Sequence, residues 1–170
     1  GCAQLNPPKK TPGVAYSRNP YPSTYAPYPG AVTVIRNATI FDGEGGRIDG
    51  GTLVLADGVI RGDGRPQTPA REGAYVVDGT GKYVTPGIID IHSHLGDYPS
   101  PSVEAHQDGN EVTGPVHPDV WAEHSVWPQD PGFTRALYNG GVTSLHVLPG
   151  SANLFGGRGV TLKNVPARTV

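Results

Sequence analysis

From Ala31 onwards apolar and polar residues alternate with a period of two. "AVTVIRNATIFDG" is rich in β-branched residues and stops at Asp42-Gly43, which predicts a strand closed by a turn. "GTLVLADGVIRGDG" predicts two short strands joined by a hairpin at Asp57-Gly58. "AYVVDGTGKYVTPG" repeats the scheme around Asp78-Gly79-Thr80-Gly81. Three such units in close succession predict a small antiparallel sheet or β-sandwich over residues 31–87.

Pro86-Gly87 punctuates the chain, and the pattern changes. "IIDIHSH" begins apolar at successive positions, as a strand buried on both faces does. Residues 97–118 predict a long polar loop. In "HPDVWAEHSVW", Val120, Trp121, His124 and Trp127 recur at roughly helical spacing, which predicts a short helix whose tryptophans pack in the core. "DPGFTRALYNGG" carries helix signals: Asp130 as cap, Pro131 in the first turn and Gly140-Gly141 as the stop. "VTSLHVL", residues 142–148, predicts a second buried strand. A strand, a crossover with a helix and another strand form a βα unit with a parallel pair. No internal repeat marks a solenoid.

Composition adds limits. The net charge of -2 gives no basic surface for a nucleic-acid partner. No apolar run reaches the ~18 residues of a transmembrane segment. Residues 1–30 hold seven of the 18 prolines and predict an extended tether that buries little. The chain contains no Met, so a processed protein or a fragment is expected. Its start, with Cys2 ahead of a Pro-, Ser- and Tyr-rich stretch, resembles a mature bacterial lipoprotein. That predicts an exported protein, periplasmic or associated with the outer membrane or cell surface, with Cys2 as a candidate lipid anchor. The alternative is a free thiol in a tail. A single Cys allows no internal disulfide. Asn37-Ala38-Thr39 fits a glycosylation acceptor, which matters only in a eukaryotic secretory route.

The candidate chemistry lies in "TPGIIDIHSHLG". Residues two apart on a strand project to one face, so His92 and His94 point together, with Asp90 one step below. Two imidazoles on one strand end can converge on one divalent ion. Alone, His-x-His is a weak motif. His106 and His117 are expected to be solvated in the polar loop, and His124 to pack or hydrogen-bond on its short helix. His146, near the end of the second strand, is a candidate substrate-binding residue. "PGSANLFGGRG" lacks the Gly-Lys-Ser/Thr ending of a P-loop.

A small β-domain followed by "KYVTPGIIDIHSHLG" resembles the amidohydrolase superfamily of metal-dependent hydrolases. "GGVTSLHVLPGSAN" is similar to the second barrel strand and its loop in the imidazolonepropionase-like and dipeptidase-like branch. The resemblance covers residues 31–170. It implies a β-sandwich (31–87) followed by the first strands of a (β/α)8 TIM-like barrel (88–170), with a long loop between strands 1 and 2. It also implies His92 and His94 as ligands of a divalent metal, zinc foremost, with manganese or iron as alternatives. The implied reaction is attack of water on an amide, cyclic amide or dipeptide C–N bond. In the family the remaining ligands and the base come from later strands, and a full barrel takes about 250 residues. The expectation is therefore an N-terminal portion that is inactive without the missing strands, with a companion segment or chain completing the barrel. The alternative is a structural fragment of amidohydrolase ancestry that assembles with copies of itself, without catalysis.

Overall fold

The computed structural model describes residues 30–62 and 72–165. The expectations for the tether and for Cys2 fall on residues 1–29, outside the described residues. Among the described residues no helix is long and apolar enough to cross a membrane.

The first sheet has five strands: β1 (Thr33–Phe41), β2 (Arg47–Ala56), β3 (Val59–Ile60), β4 (Tyr75–Asp78) and β5 (Tyr83–Val84). The hairpin reading holds for β1–β2 and β2–β3, both antiparallel. Asp57 and Gly58 have φ of 54° and 74°, the left-handed pair that a two-residue hairpin turn requires. At the β1–β2 turn the Asp42 carboxylate accepts the backbone N–H of Glu44 and of Gly46, each at 2.8 Å.

The third unit is not a hairpin, and this corrects the all-antiparallel expectation. β4 and β5 both run parallel to β1, one after the other along the same edge. The cause is local. β1 shifts register around Asn37, which takes a φ of 60°. The Asp78 carboxylate accepts the backbone N–H and the hydroxyl of Thr80, and the Asn37 side-chain amide reaches it at 3.3 Å. The turn at 78–82 therefore advances the chain along β1 instead of reversing it. Ala38, Ile40 and Leu53 form the buried core of this sheet.

The second sheet contains β6 (Ile88–Ser93), β7 (Val142–Val147) and β8 (Val160–Lys163). β6 and β7 are parallel, as the βα reading requires, with α1 (Pro131–Gly140) on the crossover. β8 returns antiparallel to β7. Leu145 and Val147 are completely buried and pack with Ala122 and Val126; Leu95, Phe133 and Val160 flank them. The tryptophans do not form this core. Trp127 is 37% exposed, and the smaller Ala122 and Val126, four residues apart, are buried in their place. The helix around them is only a 3-10 turn, Ala122–His124, too short to turn Trp127 inward. β6 also departs from expectation: Ile89 and Ile91 are 66% and 77% exposed, because no described residues cover that face.

α1 starts and stops where its sequence signals lie. Gly141 adopts the left-handed φ of 66° and its N–H returns to Leu137, closing the helix. Asp130 is buried and accepts three backbone N–H groups: Gly132 in the first turn, and Gly96 and Ser100 in the loop after β6. One carboxylate thus caps the helix and pins the loop that follows the His-x-His strand. Asp130→Ala removes a cap and strands buried amides, so we expect a loss of about 2–4 kcal/mol in urea unfolding, with Asp130→Asn recovering part of it.

Candidate metal centre

His92 is the penultimate residue of β6, and His94 lies just beyond its end. Ser93 pairs with Val147 of β7 and is buried beside it, so the two histidines face away from the core. Their ring centroids are 5.2 Å apart and the planes meet at 78°. Two imidazoles bound tetrahedrally to one ion through metal–nitrogen bonds of about 2.0–2.1 Å have centroids about 5 Å apart, so the spacing fits a shared ion.

The state of His94 is set by its surroundings. Its Nδ1 lies 2.8 Å from the carbonyl oxygen of Leu148, just after β7. A carbonyl only accepts, so Nδ1 carries a proton, and in the neutral ring Nε2 keeps its lone pair for a ligand. The Leu148 N–H donates in turn to the Ser93 carbonyl at 2.9 Å. The ring of Tyr98 stands edge-on to His94, with centroids 5.7 Å apart.

Asp90 does not join the two histidines in a group placed to hold a metal ion. A register shift falls between Asp90 and Ser93, and the Asp90 carboxylate accepts the His92 backbone N–H at 3.1 Å. That local bond interrupts the strict alternation on which its placement depended. Among the described residues no group of three or more His, Cys, Asp or Glu side chains is placed to hold a metal ion. Two imidazoles are one short of the three protein ligands usual in a catalytic zinc site.

His146 alternates with the buried Leu145 and Val147, so it lies on the same face of the sheet as His92 and His94. Its Nδ1 is 2.9 Å from the Thr161 hydroxyl on β8. The loop histidines divide. His106 is exposed and lies against the Trp127 ring. His117, expected in solvent, is half-buried: its backbone N–H bonds the Phe155 carbonyl, which draws it under the 150–158 loop. His124 is exposed and stacks on Trp121, whose ring also carries the Arg158 guanidinium at 4.8 Å.

The sequence reading missed Asp97. It is completely buried, its Oδ1 accepts the Ser125 hydroxyl at 2.9 Å, and its Oδ2 has no partner among the described residues. Burial pushes its carboxyl up to about 6; the Ser125 hydroxyl and, when it is protonated, the His94 ring pull it down, and Asp108 raises it. The only sequence signal was a carboxylate three residues beyond His94, in a stretch read as loop. A cleft of about 250 Å³ runs past Ser125 and is lined also by Asp108, Asn110, Trp121, His124 and Pro149.

No family model matches the chain. The chain is 34% identical over 155 residues to the amidohydrolase tasK of Hapsidospora irregularis, covering 82% of the chain and 16% of that protein. It is 31% identical over 119 residues to the dihydroorotase of Pelotomaculum thermopropionicum, covering 70% of the chain and 22% of that protein. Among solved structures, an amidohydrolase from Thermotoga maritima superposes with a TM-score of 0.69 at 38% identity, over 78% of this chain and 34% of that one. The chain thus spans about a sixth to a third of the length of these relatives.

The raised carboxyl of Asp97 gives a pH prediction for the metal-free protein. An acid whose folded pKa exceeds its unfolded value is held neutral by the fold, so its contribution is complete below about pH 4 and lost as pH rises through about 6. Stability should fall across that window by on the order of 2–3 kcal/mol from this group. Asp97→Asn should flatten the fall. Urea unfolding at a series of pH values checks this; parallel profiles for wild type and variant would contradict it.

Proposed function

The chain belongs to the amidohydrolase superfamily, and on that premise we propose that it supplies the first metal ligands of a metal-dependent hydrolase acting on C–N bonds. The observation that carries the reading is the pairing of His92 and His94 on the outward face of a parallel strand end, with the His94 tautomer set by the Leu148 carbonyl. In this reading His92 and His94, the latter through Nε2, would hold one divalent ion, zinc foremost, with manganese or iron also compatible with two imidazoles. When bound, the ion supplies Lewis acidity that polarises an amide-type carbonyl and makes water nucleophilic near neutral pH.

The residues of this chain orient and position. The Leu148 carbonyl keeps His94 from flipping its tautomer, and Asp130 holds the loop from Gly96 to Ser100 behind it. His146, on the same face and tied to Thr161, is a candidate contact for substrate. The substrate class is an amide, a cyclic amide or a dipeptide. The exposed Ile89 and Ile91 on β6 support a further segment or chain that covers this strand and brings the remaining ligands of a (β/α)8-type barrel, without which this chain is inactive. Export with Cys2 as an anchor belongs to the same proposal and rests on the sequence alone.

Zinc titration against a chromophoric chelator tests the metal assignment. The chain should bind one zinc ion, and His92→Ala and His94→Ala should each weaken binding at least about tenfold, the scale at which even supporting groups matter. Binding that survives both substitutions would overturn it.

A further inference from the structure

We infer that Tyr98 is a positioning residue for His94, its ring fixed by a socket made of Gly109, Asn110 and Gly150; the inference rests on the reading of His94 as a metal ligand. Tyr98 lies one turn beyond His94, and its backbone N–H returns to the His94 carbonyl at 3.2 Å. Its ring meets the His94 ring edge to face, at 5.7 Å and 79°. The phenol end of Tyr98 is held on several sides. A Cβ at Gly109 or at Gly150 would overlap the phenol oxygen, so both loops approach Tyr98 as closely as backbone permits. The Gly150 N–H donates to the Gly109 carbonyl, joining the two walls.

Asn110 completes the socket, and its orientation is determined. Its Oδ1 accepts the Ala152 N–H at 3.0 Å, so its Nδ2 faces Tyr98 and donates to the phenol oxygen. The loop after β7 therefore reaches His94 twice. Leu148 fixes the Nδ1 side directly, and Gly150 with Ala152 acts through Asn110 and Tyr98. A hydrogen bond to Nδ1 alone leaves the imidazole free to rock about that bond. An aromatic ring held in place at its edge removes that freedom, and with it part of the ordering cost of binding an ion.

The variants Tyr98→Leu, Tyr98→Phe and Gly150→Ala in the full chain test this by two readouts: zinc affinity by chelator competition, and the His94 imidazole signals by long-range proton–nitrogen NMR without metal. Removing a group that orients a ligand costs about 10–100-fold in metal affinity, so Tyr98→Leu should lose at least about tenfold. Tyr98→Phe keeps the ring but loses the Asn110 bond and should lose less. Gly150→Ala leaves both rings intact, yet should weaken binding and move the His94 proton shifts by displacing the phenol. Zinc affinities within about threefold of wild type, together with unchanged His94 shifts, would overturn the inference. Should Tyr98→Leu fail to fold, the other two variants decide. The wild-type chain without metal gives a separate check: His94 carbon-bound protons should show ring-current shifts and Overhauser contacts to Tyr98, and their absence contradicts the inference. If wild type binds no zinc, the hydrolase reading fails, while the NMR still decides the ring contact.

Discussion

The peptide group of Leu148 holds the candidate centre together. Its N–H donates to the Ser93 carbonyl and its C=O accepts from Nδ1 of His94. Both bonds join the end of β6 to the chain just after β7, so the parallel strand pair and the tautomer of a candidate ligand share one determinant. Neither bond uses the Leu148 side chain, so the position of this peptide group follows from the strand pairing. The core beneath it, Leu145 and Val147 against Ala122 and Val126, therefore bears on the chemistry as well as on stability.

Around that joint the crossover segment acts as a set of clamps. Asp130 ties the start of α1 to the loop after β6, and the Asn164 side-chain amide ties the end of β8 to the carbonyls of Phe133 and Val142. Much of the long stretch between β6 and α1 lacks regular secondary structure but is bound through specific backbone groups: the amides of Leu154 and Phe155 both donate to the Pro115 carbonyl, and that of Arg158 donates to Val120. Buried polar groups in such a segment need partners, and supplying them orders the loop without a helix or a strand.

Much of this was legible in the sequence. Asp57-Gly58 specified a hairpin because few other residue pairs adopt two successive positive φ values. Asp130, Pro131 and Gly141 specified the limits of α1 because caps are local chemistry. The parallel β6–β7 pair followed from the intervening helix. The illegible part depended on partners distant in sequence. The direction of β4 and β5 turned on Asn37 meeting Asp78, 41 residues away. The tryptophans read as core because they are large and periodic, yet the 3-10 turn at Ala122–His124 presents Ala122 and Val126 inward instead. His92 and His94 were legible as a pair, since a two-residue spacing on a strand sets the face. The carbonyl that orients His94 was not, because every residue carries one. Asp97 was hidden for a related reason: nothing local distinguishes a buried carboxylate from a solvated loop aspartate.

The proposed metal site requires His92 and His94 to grip one cation, His94 through Nε2. Anomalous diffraction from a zinc-soaked crystal of the chain addresses it directly. A single strong peak should stand about 2.0–2.1 Å from Nε2 of His94 and from one ring nitrogen of His92, with Nδ1 of His94 still on the Leu148 carbonyl. A peak on only one ring, ligation through Nδ1 of His94, or zinc held elsewhere with these two imidazoles unliganded would contradict it.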